Sequence, residues 1–543
     1  MDYPSSPVQR VLVIGLDGAT YDLLVPWAAS GFMPNLAQLM ARSSMSVVNS
    51  TQPCITPVAW TTFQTGCDPA EHGILDYRYL DHRCRRLGLN HAGRSRCPTL
   101  FEAVSHAGDE VVSLNLPMTS PAPATVRGIV VGGLDSPSIE AALAPYPAFA
   151  ENLRATGVRY DLSTVWRRKP TEFDELAANV AATAASFRGQ AVAALIADQM
   201  TDWKLMVVQL QVLDAFQHRC WHLLCGDGAP RAWVAKAREA LRAMDDCLGE
   251  LITLAERRRS AVVAVSDHGF GPFREKITLA EILSRRGLLK LPGWSGAASY
   301  YVRRGGWKLR KLVWRRLRPG CSTAQLTRPL DSLLAIDWKR SSALALHGNL
   351  GGLIYLNTPG RFGGGPLATP RLRDQALAEV AAAFDEARHP ETGERLFVDV
   401  FGTAERFGLD PVEAMWPDLL AIPAPGFHTR HKFDAAPQLL RNDPTLTATH
   451  RLEGVLMVQA PGIVSGYGPT AELRDVAPTI LHMLGVPAPA RMSGRILTEI
   501  FADCSPATAC EAHGPRGMLE PAGITDADQR SVEARLRDLG YLD

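Results

Sequence analysis

The chain carries almost no excess charge: 57 Lys and Arg against 56 Asp and Glu leave a formal net charge of +1 over 543 residues. No global field therefore draws it to a nucleic-acid polymer or an anionic membrane, and any phosphate-binding surface has to be local. It has no uninterrupted apolar run near the ~20 residues that cross a bilayer, so no transmembrane segment is expected. The N-terminus lacks the basic region and small-residue cleavage site of a secretory leader. Cysteine is sparse, ten residues with no CxxC pair, which suits a reducing compartment better than a disulfide framework. Together these absences read as a cytoplasmic protein. With 46% hydrophobic and 21% charged residues, the composition also excludes a fibrous or largely disordered chain.

What is there alternates. Apolar runs at residues 11–16, 111–116, 129–131, 205–212, 261–265, 353–356 and 455–458 are continuous, as in strands buried on both faces. Between them, residues 171–200 and 229–258 have helical period. The pattern predicts an α/β fold, a doubly wound and mostly parallel sheet with helices on both faces. From about residue 273 to 344 the alternation breaks, and residues 300–318 carry eight Lys or Arg and no acid. This segment reads as an inserted basic cap or lid. The expected division is a core at 1–272, the cap at 273–344, the rest of the core at 345–503, and a loop-like C-terminal tail at 504–543.

In open α/β sheets ligands bind beyond the carboxyl ends of the strands, so polar residues that follow apolar runs are the candidates. Asp17 closes VLVIGLDG, although an Asp-Gly in that place is more often a turn. Asp214 and His218 in DAFQH are four residues apart, which puts carboxylate and imidazole on one helical face and suits a shared metal ion. Asp267 and His268 follow AVVAV, with Gly269 freeing the backbone so that both can face one site, although this pair and the Asp214/His218 pair each read equally well as a cap or turn. His450 precedes a strand-like run, where a lone histidine is more often structural. Thr56 stands before Pro57 in CITPVAW and fits a helix N-cap, with Gly66 ending the helix. A Ser/Thr-Pro pair is usually no more than a cap, yet such a terminus also attracts anions.

Taken in chain order, these residues resemble one family. LDG, the Thr56 segment with TGCDPAEHGILDY, DAFQHRCW, SDHGFGP and THRLEG are similar to the type I phosphodiesterase/nucleotide pyrophosphatase branch of the alkaline phosphatase superfamily. LNLPMTSP, GGLIYLN, DVAPTILHMLGVP and the terminal VEARLRDLGYL extend the likeness over most of the chain. The resemblance implies an alkaline phosphatase-like core and two divalent metal ions. One would be held by Asp17, Asp267 and His268 with Thr56, the other by Asp214, His218 and His450. Mixed carboxylate and imidazole donors suit Zn²⁺ first and are compatible with Mn²⁺ or Fe. It also implies that Thr56 attacks a phosphoryl group and forms a phospho-threonine that water hydrolyses.

A sulfatase is disfavoured, because the proline of Cys54-Ile55-Thr56-Pro57-Val58 sits one place late for C/S-x-P-x-R and no Arg follows. Members of the family place an Asn two residues after HGIx to hold a phosphoryl oxygen, whereas this chain has Tyr77 there as the substrate-binding candidate. The expectation is a hydrolase of phosphodiester or pyrophosphate bonds acting on a small phosphorylated substrate. A phosphomonoesterase, phosphonate hydrolase or phosphotransferase on the same core is the alternative, and a non-catalytic phosphate-ligand binder ranks below these. The basic cap is a candidate for peripheral membrane contact or for gripping a polyanionic substrate, with a solvated cap helix as the default.

Overall fold

In the computed structural model, the strand Val11–Gly15 runs parallel to Trp203–Gln209 on one side and to Ala261–Val265 on the other. The structure describes residues 8–81, 86–162, 166, 168–225, 228–290, 336–346, 348, 350–362, 364–412, 415–431, 438–502, 525–539 and 541–542. Glu110–Leu116 continues the sheet, parallel to both Trp203–Gln209 and Gly128–Gly132. At the other side Glu453–Gln459 pairs antiparallel with Ala261–Val265 and with Ser44–Asn49. The nine-stranded sheet is thus parallel at its centre, with an antiparallel strand toward one edge. The apolar run at 205–212 ends as a strand at Gln209, and Val212 already opens the helix Val212–Leu224.

Continuous apolar strands are explained by two cores. Leu12 and Ile14 belong to a cluster with the helices Phe173–Met200 and Arg231–Arg258. Val11 and Val13 point the other way, to a cluster with Trp60, Phe63, Leu100 and Ile480. Alternate residues of one strand feed opposite faces, so every position is buried. Each fully buried Leu, Ile or Phe contributes ~1.5–3 kcal/mol.

Phe173–Met200 is the one described helix long and apolar enough to cross a membrane by length and composition, and half of its apolar window is buried inside the protein. Its alanines raise the hydropathy of a sequence that polar residues interrupt, which a search for unbroken runs passes over. Leu176, Val180 and Phe187 commit it to the core.

The run at 353–356 lies elsewhere than expected. Gly352–Leu356 belongs to a separate four-stranded sheet with Ala343–Ala345, Leu419–Pro423 and Phe397–Gly402, antiparallel throughout. Its residues are buried and share a core with Val380 and Phe384 of the helix Pro370–Asp385 and with Leu279. A continuous apolar run reports burial of both faces and not the direction of pairing. The expected boundary at 344 falls inside Ala343–Ala345. Glu275–Thr278 pairs with Phe427–Arg430 and Leu440–Arg441, so the described ends of segment 273–344 are knitted into sheets with residues beyond it. The basic stretch 300–318 lies outside the described residues.

The C-terminal tail is not all loop either: Asp526–Leu539 is a helix, and Tyr541 and Leu542 beyond it are buried.

Candidate metal centre

Parallel register brings the candidate acids together. Gly15 is level with Val265 and with Gln209, so the chain leaves three adjacent strands at one end of the sheet. Asp17 and Asp267 each follow two residues past their strands, and Asp214 lies in the first turn of the helix Val212–Leu224. His450 comes from the strand Ala448–Arg451, which pairs antiparallel with Gly269–Pro272 and sets His450 opposite Phe270. Two glycines make the turns possible. Gly18 has φ +69°, and its N–H donates to Asp267 Oδ1 at 3.1 Å. A Cβ on Gly269 would lie 2.0 Å from the Glu453 carbonyl oxygen, so only glycine lets the two chains approach there.

The side chains gather into two groups, Asp17 with Asp267 and His268, and Asp214 with His218 and His450. In each, one ligand atom per residue lies within 4.8 Å of the others. All six residues are buried. The His268 and His450 rings stack at 3.6 Å between centroids, so the groups are neighbours.

The histidines are oriented alike. Nδ1 of His218 lies 2.9 Å from the Ala448 carbonyl, Nδ1 of His450 2.9 Å from that of Cys54, and Nδ1 of His268 3.1 Å from that of Gly269. A carbonyl only accepts, so each Nδ1 carries a proton, and in the neutral ring that leaves Nε2 with a lone pair aimed into the site. His218 Nε2 and His450 Nε2 face each other at 3.1 Å. Two lone pairs at that distance repel unless a cation stands between or beside them. Asp214 Oδ1 adds negative charge there, 3.1 Å from His450 Nε2 and 3.5 Å from His218 Nε2. Among the other inward atoms, Asp17 Oδ1, Asp267 Oδ2 and His268 Nε2 make no hydrogen bond. Buried polar atoms left unpaired are costly, and this donor set of carboxylates and imidazoles fits divalent cations.

Electrostatics point the same way. Burial first, then the charges of neighbouring carboxylates, pushes Asp17 well above the ordinary carboxylate range; burial dominates the rise at Asp267 as well. Burial also lowers His218 to about 4 and His268 well below its usual value, so both rings stay neutral near pH 7. Trp60 Nε1 and Gln209 Nε2 donate to Asp17 Oδ2 and leave Oδ1 facing inward.

Thr56 is the first residue of the helix Thr56–Thr65 and not its cap. Ile55 takes the cap position: its backbone is extended, and its carbonyl accepts from Val58 N and Ala59 N. Thr56 Oγ1 is buried and makes no hydrogen bond of normal geometry, with the Tyr77 hydroxyl as its neighbour. A threonine that served only to cap would have its oxygen occupied. Gly66 ends the helix with φ +58°, as its sequence position predicts. Tyr77 is buried, and burial together with the nearby Asp17, Asp214 and Asp267 charges holds its hydroxyl protonated.

Of the other histidines, His72 accepts from Ile74 N at Nδ1 (3.1 Å) and meets Thr62 Oγ1 at Nε2 (3.0 Å), a structural role. His428 is buried with Nε2 unpaired, its ring 6.3 Å from that of His218. The sequence reading missed Trp60, Gln209 and Tyr541 at this site. The first two sit in apolar surroundings that carry no signal, and Tyr541 lies in the terminal motif that contributed to the family resemblance.

The model of the type I phosphodiesterase/nucleotide pyrophosphatase family matches residues 11–438. The chain belongs to this family. Its members are phosphodiesterase and nucleotide pyrophosphatase hydrolases, and the α/β sheet with helices on both faces is the fold shared with solved structures. No curated protein matches the sequence. Phosphonoacetate hydrolase from Sinorhizobium meliloti 1021, solved with phosphonoacetate, superposes at a TM-score of 0.52 and 16% identity over 89% of this chain and 97% of that one. Its complex with phosphonoformate gives 0.51 at the same identity and coverage. Human ectonucleotide pyrophosphatase/phosphodiesterase 5 gives 0.48 at 13% identity, over 88% and 96%. At these identities the first two likenesses speak for the fold alone.

Proposed function

We propose that this family member is a dinuclear metal-dependent hydrolase of phosphodiester or pyrophosphate bonds that works through Thr56. The observation that carries the reading is the shared orientation of His218, His268 and His450, each with Nδ1 on a backbone carbonyl and Nε2 turned toward buried carboxylates. Metal-ligating histidines are commonly fixed in this way.

Asp17, Asp267 and His268, with Thr56, would hold one divalent ion, and Asp214, His218 and His450 the other; Zn²⁺ suits the donors best. Bound there, the ions supply positive charge that favours the ionised form of a hydroxyl and offsets charge on phosphoryl oxygens. Thr56 Oγ1, at the positive end of its helix, gives up its proton and forms the bond to phosphorus as one ester oxygen leaves and takes up a proton from water, which gives a phosphorylated Thr56 whose phosphorus still carries the other substituent of the diester or pyrophosphate. Water then attacks phosphorus and releases the threonine hydroxyl. Tyr77, kept protonated and placed beside Thr56, donates its O–H to a phosphoryl oxygen. Trp60 and Gln209 hold Asp17 in place throughout.

The test compares hydrolysis of a chromogenic phosphodiester with that of its monoester, before and after chelation. Chelator-sensitive diester preference supports the reading. Monoester preference would move the function to a phosphatase on the same residues, and diester hydrolysis unaffected by complete metal removal would overturn the mechanism.

A further inference from the structure

The last helix, Asp526–Leu539, reaches back to the candidate site from the far end of the sequence. Val532, Leu536 and Leu539 pack in one buried cluster with Ile55, Val58 and Tyr77, the residues that flank and face Thr56. Arg535 fastens the helix to the backbone, with Nη1 on Leu134 O and Nη2 on Pro137 O, both at 2.9 Å. Arg219, next to His218, donates from Nη2 to the Leu539 carbonyl at 3.3 Å. The chain then turns inward, and Tyr541 is buried against Tyr77 with ring centroids 5.3 Å apart.

The Tyr541 hydroxyl donates to Asp214 Oδ2 and accepts from Gln211 Nε2 at 3.3 Å. The two oxygens of Asp214 are thereby divided. Oδ2 is held by a phenol, while Oδ1 faces His218 Nε2 and His450 Nε2. A carboxylate free to rotate could present either oxygen, or both, to a cation; this one is fixed to present Oδ1.

We infer that Tyr541 is a positioning residue for the second metal: the C-terminal segment closes the site and fixes Asp214 as a one-oxygen ligand. The inference rests on the dinuclear reading above and adds a component from the end of the chain. A phenol in this place acts through the ligand and need not touch substrate. Outer partners of metal ligands are typically worth ~10–100-fold in metal affinity.

The test is Tyr541→Phe, which keeps the ring packing and removes only the hydroxyl. Zn²⁺ is titrated into the metal-free full-length protein against a chelating dye, and Co²⁺ absorption is recorded in parallel. The expected result is that one of two sites weakens ~10–100-fold, with a changed Co²⁺ spectrum at that site, an unchanged second site, and an unchanged melting temperature of the metal-free protein. Gln211→Leu, which removes the hydrogen bond from Gln211 Nε2 to the same hydroxyl, shifts the same site in the same direction. If the wild type binds two ions and both variants bind both as tightly as it does, the inference fails and the dinuclear reading stands. If the wild type binds none, both fail.

Discussion

His218 Nε2 and His450 Nε2 face each other at 3.1 Å while both Nδ1 atoms rest on carbonyls 2.9 Å away. The relation is built from distant parts of the chain, the helix Val212–Leu224 that follows one central strand and the short strand Ala448–Arg451 that pairs with Gly269–Pro272 outside the central sheet. It is costly without a cation and favourable with one, and the proposed chemistry follows from it.

In the proposed chemistry Thr56 Oγ1 is the nucleophile. Thr56→Ala keeps the carboxylate and imidazole ligands, so metal content is expected to hold, while turnover falls by on the order of 10³-fold or more. Thr56→Ser retains a hydroxyl and part of the activity. Brief reaction with a phosphodiester followed by acid quench should leave a phosphoryl group, with the retained ester substituent, on a peptide that contains Thr56 in the wild type and none in Thr56→Ala. Full activity in the alanine variant would contradict the assignment.

Tyr77 has a buried hydroxyl with no hydrogen bond of normal geometry, so Tyr77→Phe is expected to fold with undiminished stability. If that hydroxyl binds a phosphoryl oxygen, kcat/KM falls ~10–100-fold at unchanged metal content. Steady-state kinetics of the two proteins on one diester decide between a donor and a spectator.

His72 gives a pH dependence that is independent of metal. Burial, with a smaller effect from Arg96, lowers it from 6.5 to about 3, and its Nδ1 accepts from Ile74 N. The folded state therefore favours the neutral ring. Its contribution to stability is whole above pH 6.5 and is lost as pH falls from 6.5 toward 3, by up to ~1.4 kcal/mol per unit. Urea unfolding at pH 7 and pH 5.5 should show a steeper loss in the wild type than in His72→Gln. Equal slopes would refute the neutral assignment.

Asp245 tests the scaffold. The helix Pro34–Arg42 has no cap of its own, since Met33 cannot supply one. Asp245, from the helix Arg231–Arg258, accepts from Asn35 N at 3.1 Å and Leu36 N at 2.8 Å in its place. Asp245→Ala strands these donors and is expected to cost ~2 kcal/mol, read as a lowered urea midpoint with the metal ligands untouched.

Much of this molecule is legible before any coordinates. Asp17, Asp214 and Asp267 become candidates because they follow apolar runs, where ligands bind past strand ends, yet each alone also reads as a turn or cap, and only their occurrence as a set in one chain order singles them out. His450 by itself reads as structural, since neither its pairing with Phe270 nor its carbonyl partner at Cys54 leaves a mark in local sequence. Residues 353–356 misled because burial on both faces looks the same in a parallel and an antiparallel sheet. Thr56 shifted by one position because the capping carbonyl belongs to Ile55, a residue with no capping side chain. Tyr541 was invisible as a site residue: its partner Asp214 lies 327 positions away, and no periodicity encodes such a contact.

The central claim is most directly tested by counting divalent ions per chain, by elemental analysis of the wild type and of Asp214→Ala, each loaded with Zn²⁺ and dialysed. The account predicts about two ions in the wild type and about one in the variant. A folded wild type that retains none, or an Asp214→Ala protein that retains as many as the wild type, would contradict it.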